Sequence, residues 1–97
     1  MKLDYHPATV ADLNRAVGFY EQLRPGLGGE CREAIYAAVE RVRLDPLRHR
    51  IVGGDVRRCF VGGFPFSILY RVIEDEAIRI LVIRHHRQRE NFGRSRK

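Results

Sequence analysis

Val56-Arg57-Arg58-Cys59-Phe60-Val61, Gly62-Gly63-Phe64-Pro65, Phe66-Ser67-Ile68-Leu69-Tyr70-Arg71-Val72-Ile73, Glu74-Asp75-Glu76 and Ala77-Ile78-Arg79-Ile80-Leu81-Val82-Ile83-Arg84 follow one another without interruption. The first, third and fifth pieces have the two-residue period and β-branched or aromatic content of strands; the second and fourth are turns. Strands separated by three or four residues must pair antiparallel, because a parallel crossover needs a dozen or more. The reading is therefore a β-meander. Phe66, Ile68, Tyr70 and Val72 alternate with Ser67, Leu69, Arg71 and Ile73, so both faces of the middle strand carry apolar residues and that strand belongs at the centre. Tyr70 reads as core, with its hydroxyl reaching the rim.

Upstream the period lengthens. Leu3 and Tyr5 suggest a short strand. Pro7 suits the first turn of a helix, where its missing N–H is not needed. Val10, Leu13, Val17, Tyr20 and Leu23 then recur at helical spacing and are expected to form one apolar face. Arg24-Pro25-Gly26 ends that helix. A second, from about Leu27, turns Cys31, Ile35, Ala38, Val39 and Val42 inward and Glu30, Glu33, Glu40, Arg41 and Arg43 outward, and stops at Asp45-Pro46. Residues 46–55, rich in Arg, His and Gly, read as a loop. The expected architecture is α+β: an N-terminal strand and a helical hairpin packed on one face of an antiparallel meander, in a single domain of residues 1–97 with 85–97 as a basic tail.

Composition narrows the function classes. No apolar run is long enough to suggest a membrane span, and Met1 to Pro7 has no apolar segment of a secretory signal, so the expected location is cytoplasmic. Cys31 and Cys59 lie far apart within apolar patterns and read as buried thiols. The formal net charge is +6, and it is unevenly placed. Residues 1–45 hold six Lys/Arg against seven Asp/Glu, whereas residues 84–97 hold six against Glu90 alone. That crowding points to a polyanion or an acidic partner.

The densest polar chemistry is Arg84-His85-His86-Arg87-Gln88-Arg89-Glu90-Asn91-Phe92. Histidine moves protons near neutral pH, and arginine clamps phosphate with two parallel donors. Adjacent His85 and His86 diverge on a strand, and no carboxylate cluster accompanies them, so no metal site is assigned. Nor does any motif suggest a cofactor. Arg57 and Arg58 are neighbours on a strand and point to opposite faces, so one alone can join a site beside the sheet.

Several of these residues carry a resemblance. Asp12-Leu13-Asn14-Arg15-Ala16-Val17 and Phe19-Tyr20 in the first helix, Asp45-Pro46 after the second, Phe64-Pro65-Phe66-Ser67-Ile68-Leu69-Tyr70, the acidic turn, the following strand and the His/Arg tail together resemble the RelE/ParE superfamily of type II toxin–antitoxin (plasmid stabilisation) modules. The resemblance implies a growth-inhibiting toxin held inactive by an acidic antitoxin that wraps it. RelE-like members cleave messenger RNA on the ribosome; ParE-like members poison DNA gyrase. RelE-like nucleases usually have an arginine at the second position of the middle-strand motif, where Ser67 stands here, and often a tyrosine in the tail, where the nearest aromatic is Phe92. Arg57 and Arg58 take the place of a lysine pair and stay protonated, so they cannot act as bases. His86 matches a tail histidine of some nucleases. The resemblance is thus closer to the ParE-like side, with a non-enzymatic target such as gyrase. The ribonuclease alternative would use His86, Arg87 and Arg89. Candidates for binding the target or a phosphate are Arg57, Arg58, Arg84, Arg87 and Arg89.

Overall fold

The computed structural model describes residues 1–97. In chain order the elements are β1 (Lys2–Tyr5), α1 (Thr9–Leu23), α2 (Leu27–Leu44), β2 (Arg50–Gly53), β3 (Val56–Phe60), β4 (Phe66–Ile73) and β5 (Ala77–His85). They form one five-stranded sheet in the order β1-β5-β4-β3-β2, with the α1–α2 hairpin on one face. No helix is long and apolar enough to cross a membrane. The α+β meander is as the sequence indicates, with β4 central between β3 and β5.

β1 docks parallel to β5, Leu3 beside Ile78 and Tyr5 beside Ile80, which makes the sheet mixed rather than antiparallel throughout. The second addition is β2. Residues 50–53 lie in the stretch expected to be a loop, yet they pair antiparallel with β3, Arg50 opposite Arg58 and Ile51 opposite Arg57. An edge strand of four residues that exposes Arg50 and Ile51 carries too little apolar alternation to be visible in sequence.

The helices meet the sheet through Ala16, Cys31, Ile35, Ala38, Val39 and Val42, which pack on Ile68, Tyr70, Ile78, Ile80 and Ile83. In α2 the inward set is the one its periodicity predicts. In α1 it is not. Val10 and Leu23 are 62% and 63% exposed, and the buried positions are Thr9, Asp12 and Ala16, with Leu13 and Tyr20 at the margin of the core. The helix is rotated so that Asp12, rather than an apolar residue, reaches the sheet. There its carboxylate accepts the backbone N–H of Ile83 at 3.1 Å. β1 stops pairing at Ile80, so the β5 edge beyond it would otherwise be open.

The hairpin turn is tight for a stated reason. Glu21 accepts the N–H groups of Gly26 and Gly28 at 3.0–3.1 Å, and a Cβ on Gly28 would lie 2.7 Å from the carbonyl oxygen of Val17. Only a residue without a side chain lets α2 start so close to α1.

The second face of the sheet is covered in part by residues 86–97, which descend through successive turns rather than trailing into solvent. Phe92 packs on Leu69, Leu81 and Val82, beside Val52 and Val56. The β4–β5 register shifts between Leu69 and Tyr70, opposite Leu81, and this bulge lets consecutive residues Leu81 and Val82 both join that cluster.

Candidate target-binding face

Strand registers set the layout of the second face. Phe60, Ser67 and Arg84 lie in one row across β3, β4 and β5; Arg58, Leu69 and Val82 form the next row, and Arg50 on β2 stands beside Arg58. Arg94, from the turns after β5, lies over Gly53, where its guanidinium would be 2.8 Å from a Cβ. Together Arg50, Arg58, Arg84 and Arg94 surround a hollow of about 300 Å³ floored by Val52 and Leu69, with Glu90 on its wall.

Six of the sixteen arginines are neutralised by a carboxylate, and those around the hollow are among the ten that are not. Arg15, Arg24, Arg43, Arg71, Arg79 and Arg96 each have a carboxylate partner. The four around the hollow have none. Arg84 gives Nε to the Arg89 carbonyl at 3.1 Å and Nη2 to the Gln88 carbonyl at 2.7 Å, which fixes its plane and shapes the tail. Arg58 lies 4.5 Å from the centroid of the Phe60 ring, within cation–π range. Phe60 is 55% exposed, and His86 meets it edge-on at 5.7 Å. The His86 Nε2 is 3.1 Å from Ser67 Oγ.

The structure separates the adjacent pair Arg57 and Arg58. Arg58 joins the hollow; Arg57 shares the helix side of the sheet with Tyr70 and donates to the carbonyls of Leu47 and His49 at 3.0 and 2.8 Å. Tyr70 is fully buried and gives its hydroxyl to the Pro46 carbonyl at 2.5 Å, so both side chains fasten the α2–β2 connection. Burial pushes the Tyr70 phenol up to about 12.

Arg87 is not part of this face. It stands with Arg15, Phe19, Phe66 and His85 around a second, more apolar hollow where α1 meets β5. Burial there holds the His85 imidazole below its usual range, and the neighbouring Arg87 adds to the effect. Arg89 is exposed and touches the face through its backbone carbonyl. No three His, Cys, Asp or Glu side chains come together as metal ligands, and both cysteines are free and buried.

Arg50, Arg94 and Phe60 are the members that sequence reasoning missed. Phe60 would have followed from continuing the two-residue alternation of Arg58 along its own strand; Arg50 depends on a strand the sequence does not disclose, and Arg94 on turns that carry no periodic signal.

This layout can be compared with known proteins. The model for "ParE toxin of type II toxin-antitoxin system, parDE" matches residues 3–90. The chain belongs to the ParE toxin family. Its match begins within β1, spans both helices and the other four strands of this toxin, and ends within the turns that place Arg94. Among solved structures, one described as "Chromosomal ParDE TA system from P. aeruginosa" superimposes with a TM-score of 0.77 at 22% identity, covering 88% of this chain and 95% of that one. At that identity the likeness concerns the fold. No curated sequence matches the chain.

Proposed function

We propose that this ParE-family toxin arrests growth by binding DNA gyrase, without cleaving messenger RNA, and that an acidic antitoxin neutralises it by covering its basic and apolar surfaces. The observation that carries the proposal is the second face of the sheet. Four arginines without carboxylate partners surround a hollow there, while Ser67 occupies the middle-strand position at which nuclease relatives usually bring another cation. Those relatives often have a tyrosine in the tail; the nearest aromatic here, Phe92, is packed against Leu69, Leu81 and Val82 and has no hydroxyl to offer. A nuclease lacking one charge-stabilising donor commonly loses about 10²–10³ in rate, and one lacking an acid–base group about 10²–10⁴.

The ribonuclease reading has one observation in its favour: His86 sits on the same face as Arg58 and Arg84, its ring against Phe60. A paired assay decides. Purified toxin should reduce supercoiling by gyrase and leave messenger intact in a translating ribosome mixture, and growth arrest should weaken when Arg50 and Arg58 become alanine. Codon-phased messenger cuts that vanish in His86→Ala would instead establish the ribonuclease. For the antitoxin, association should slow as salt rises, because clustered like charges steer an acidic partner; a rate indifferent to salt would remove the electrostatic part of the proposal.

A further inference from the structure

Arg50 and Arg58 are directly opposed across the β2–β3 pair. Like charges in that arrangement repel and weaken the pairing. Arg84 and Arg94 add two more cations around the same hollow, and the carboxylate of Glu90 is not within ion-pair distance of any of the four. Such a cluster is a binding site for an anion of more than one charge. The geometry of its rim says which kind. Phe60 stands one row from Arg58, about 7 Å along the strands, more than half exposed, with the Arg58 guanidinium against its ring and His86 edge-on. An acidic peptide would need the charges and leave the aromatic unused. A nucleotide chain uses both: phosphates take guanidinium groups, and an unstacked base takes an aromatic or guanidinium plane.

We propose that this hollow, with Phe60 and His86 on its rim, is a binding subsite for single-stranded nucleic acid, in which Arg50, Arg58, Arg84 and Arg94 hold backbone phosphates and Phe60 carries a base. The subsite uses the same face as the target reading above but does not depend on gyrase being the target. It requires no cleavage: the ligand is held, and no bond changes. A single strand is favoured over a duplex because the aromatic platform needs a base that is free of its own stack.

The test uses the full-length toxin and a fluorescein-labelled single-stranded DNA of twelve nucleotides, followed by anisotropy over a range of salt concentrations. The matching duplex and a twelve-residue polyglutamate serve as comparison probes. The single strand should bind more tightly than either. Its affinity should fall with salt by a logarithmic slope of roughly 0.7 for each phosphate neutralised. Arg58→Ala should weaken binding about tenfold and lower that slope by about 0.7. Phe60→Ala should weaken it about tenfold with the slope unchanged, as loss of a stacked base does. Polyglutamate or duplex binding as tight as the single strand, or wild-type affinity in Arg58→Ala or Phe60→Ala protein with an unaltered far-ultraviolet spectrum, would overturn the proposal. A toxin that inhibits supercoiling yet ignores the single strand sinks this inference alone; one that binds the strand and spares gyrase sinks only the target.

Discussion

Asp12 and Arg96, 84 residues apart, meet in a two-pronged ion pair: Arg96 Nη1 is 2.5 Å from Asp12 Oδ2, and Nη2 is 3.2 Å from Oδ1. The Asp12 side chain is fully buried, and Arg96 retains 14% exposure. Arg96 Nη1 also donates to the Leu81 carbonyl at 3.1 Å, while Asp12 takes the Ile83 N–H. Two side chains thus complete the part of the β5 edge that β1 is too short to pair. The guanidinium then lies 5.1 Å from the Phe92 centroid, which links the pair to the apolar cluster of the second face.

Asp12→Ala should therefore destabilise the fold by roughly 3–5 kcal/mol, since it leaves a largely buried guanidinium and the Ile83 N–H without their acceptor. Asp12→Asn keeps an acceptor for Ile83 and should lose less. The urea midpoint of each variant measures this; a midpoint for Asp12→Ala equal to wild type would contradict it.

Gly28→Ala should cost about 1–3 kcal/mol, because the new methyl meets the Val17 carbonyl oxygen at 2.7 Å and neither helix backbone can retreat without opening the hairpin. Gly29, with open space around it, is the control: alanine there should leave the thermal midpoint nearly unchanged.

Arg57→Ala and Arg58→Ala should part company. Arg57 holds two backbone carbonyls and should cost roughly 1–3 kcal/mol when removed. Arg58 has no hydrogen-bonded partner and faces Arg50, so its removal should leave stability within about 0.5 kcal/mol. Equal denaturation midpoints for the two variants would refute the division of labour between the sheet's faces.

Stability should fall in alkali through Tyr70. The unfolded phenol ionises near 10 and the folded one at about 12, so its contribution is fully present below pH 10 and is lost as pH rises through 12. Tyr70→Phe should be about 1 kcal/mol weaker at neutral pH, from the missing bond to Pro46, and should lose less between pH 10 and 12. Parallel stability curves over that window would show that another group is responsible.

Asp75→Gly should stabilise the protein by roughly 1 kcal/mol. Glu74 and Asp75 both adopt left-handed backbone, with φ of 49° and 58°, in the turn closed by Glu76 N–H on the Ile73 carbonyl. That conformation crowds any Cβ, and glycine accepts it freely. A lowered thermal midpoint would show that the acidic side chain contributes something the turn needs.

What the sequence disclosed follows its periodicities. The meander and the buried stripe of α2 repeat at two and at three to four residues, and both lie where expected. The α1 face was misassigned because Thr9 and Asp12 are polar, and polarity hides a position that is buried to satisfy a strand edge. β2 was missed because Arg50 and Ile51 face solvent. Arg58 and Arg84 are each visible in sequence as candidates, but their company is not: Arg50 and Arg94 reach the hollow through an unexpected strand and an aperiodic tail. The division of Arg57 from Arg58 was legible as a choice, and only the register decides which one faces the hollow.

The parallel docking of β1 on β5 and the Asp12–Arg96 pair also set the order in which this molecule can come into being. A chain is made from its N-terminus at about 5–20 residues per second, so β1 and Asp12 emerge first and find no partners until the last strand and the turns after it have been released. Helices α1 and α2 can form early, but the β5 edge is closed only after Arg96 has been synthesised. Contacts spanning most of the chain also slow folding itself. A ribosome halted before Arg96 has left it should therefore carry a nascent toxin with a protease-sensitive first strand. The basic face would be assembled only once Arg94 has left the ribosome, which gives a partner already present in the cell an interval in which to meet it as it forms.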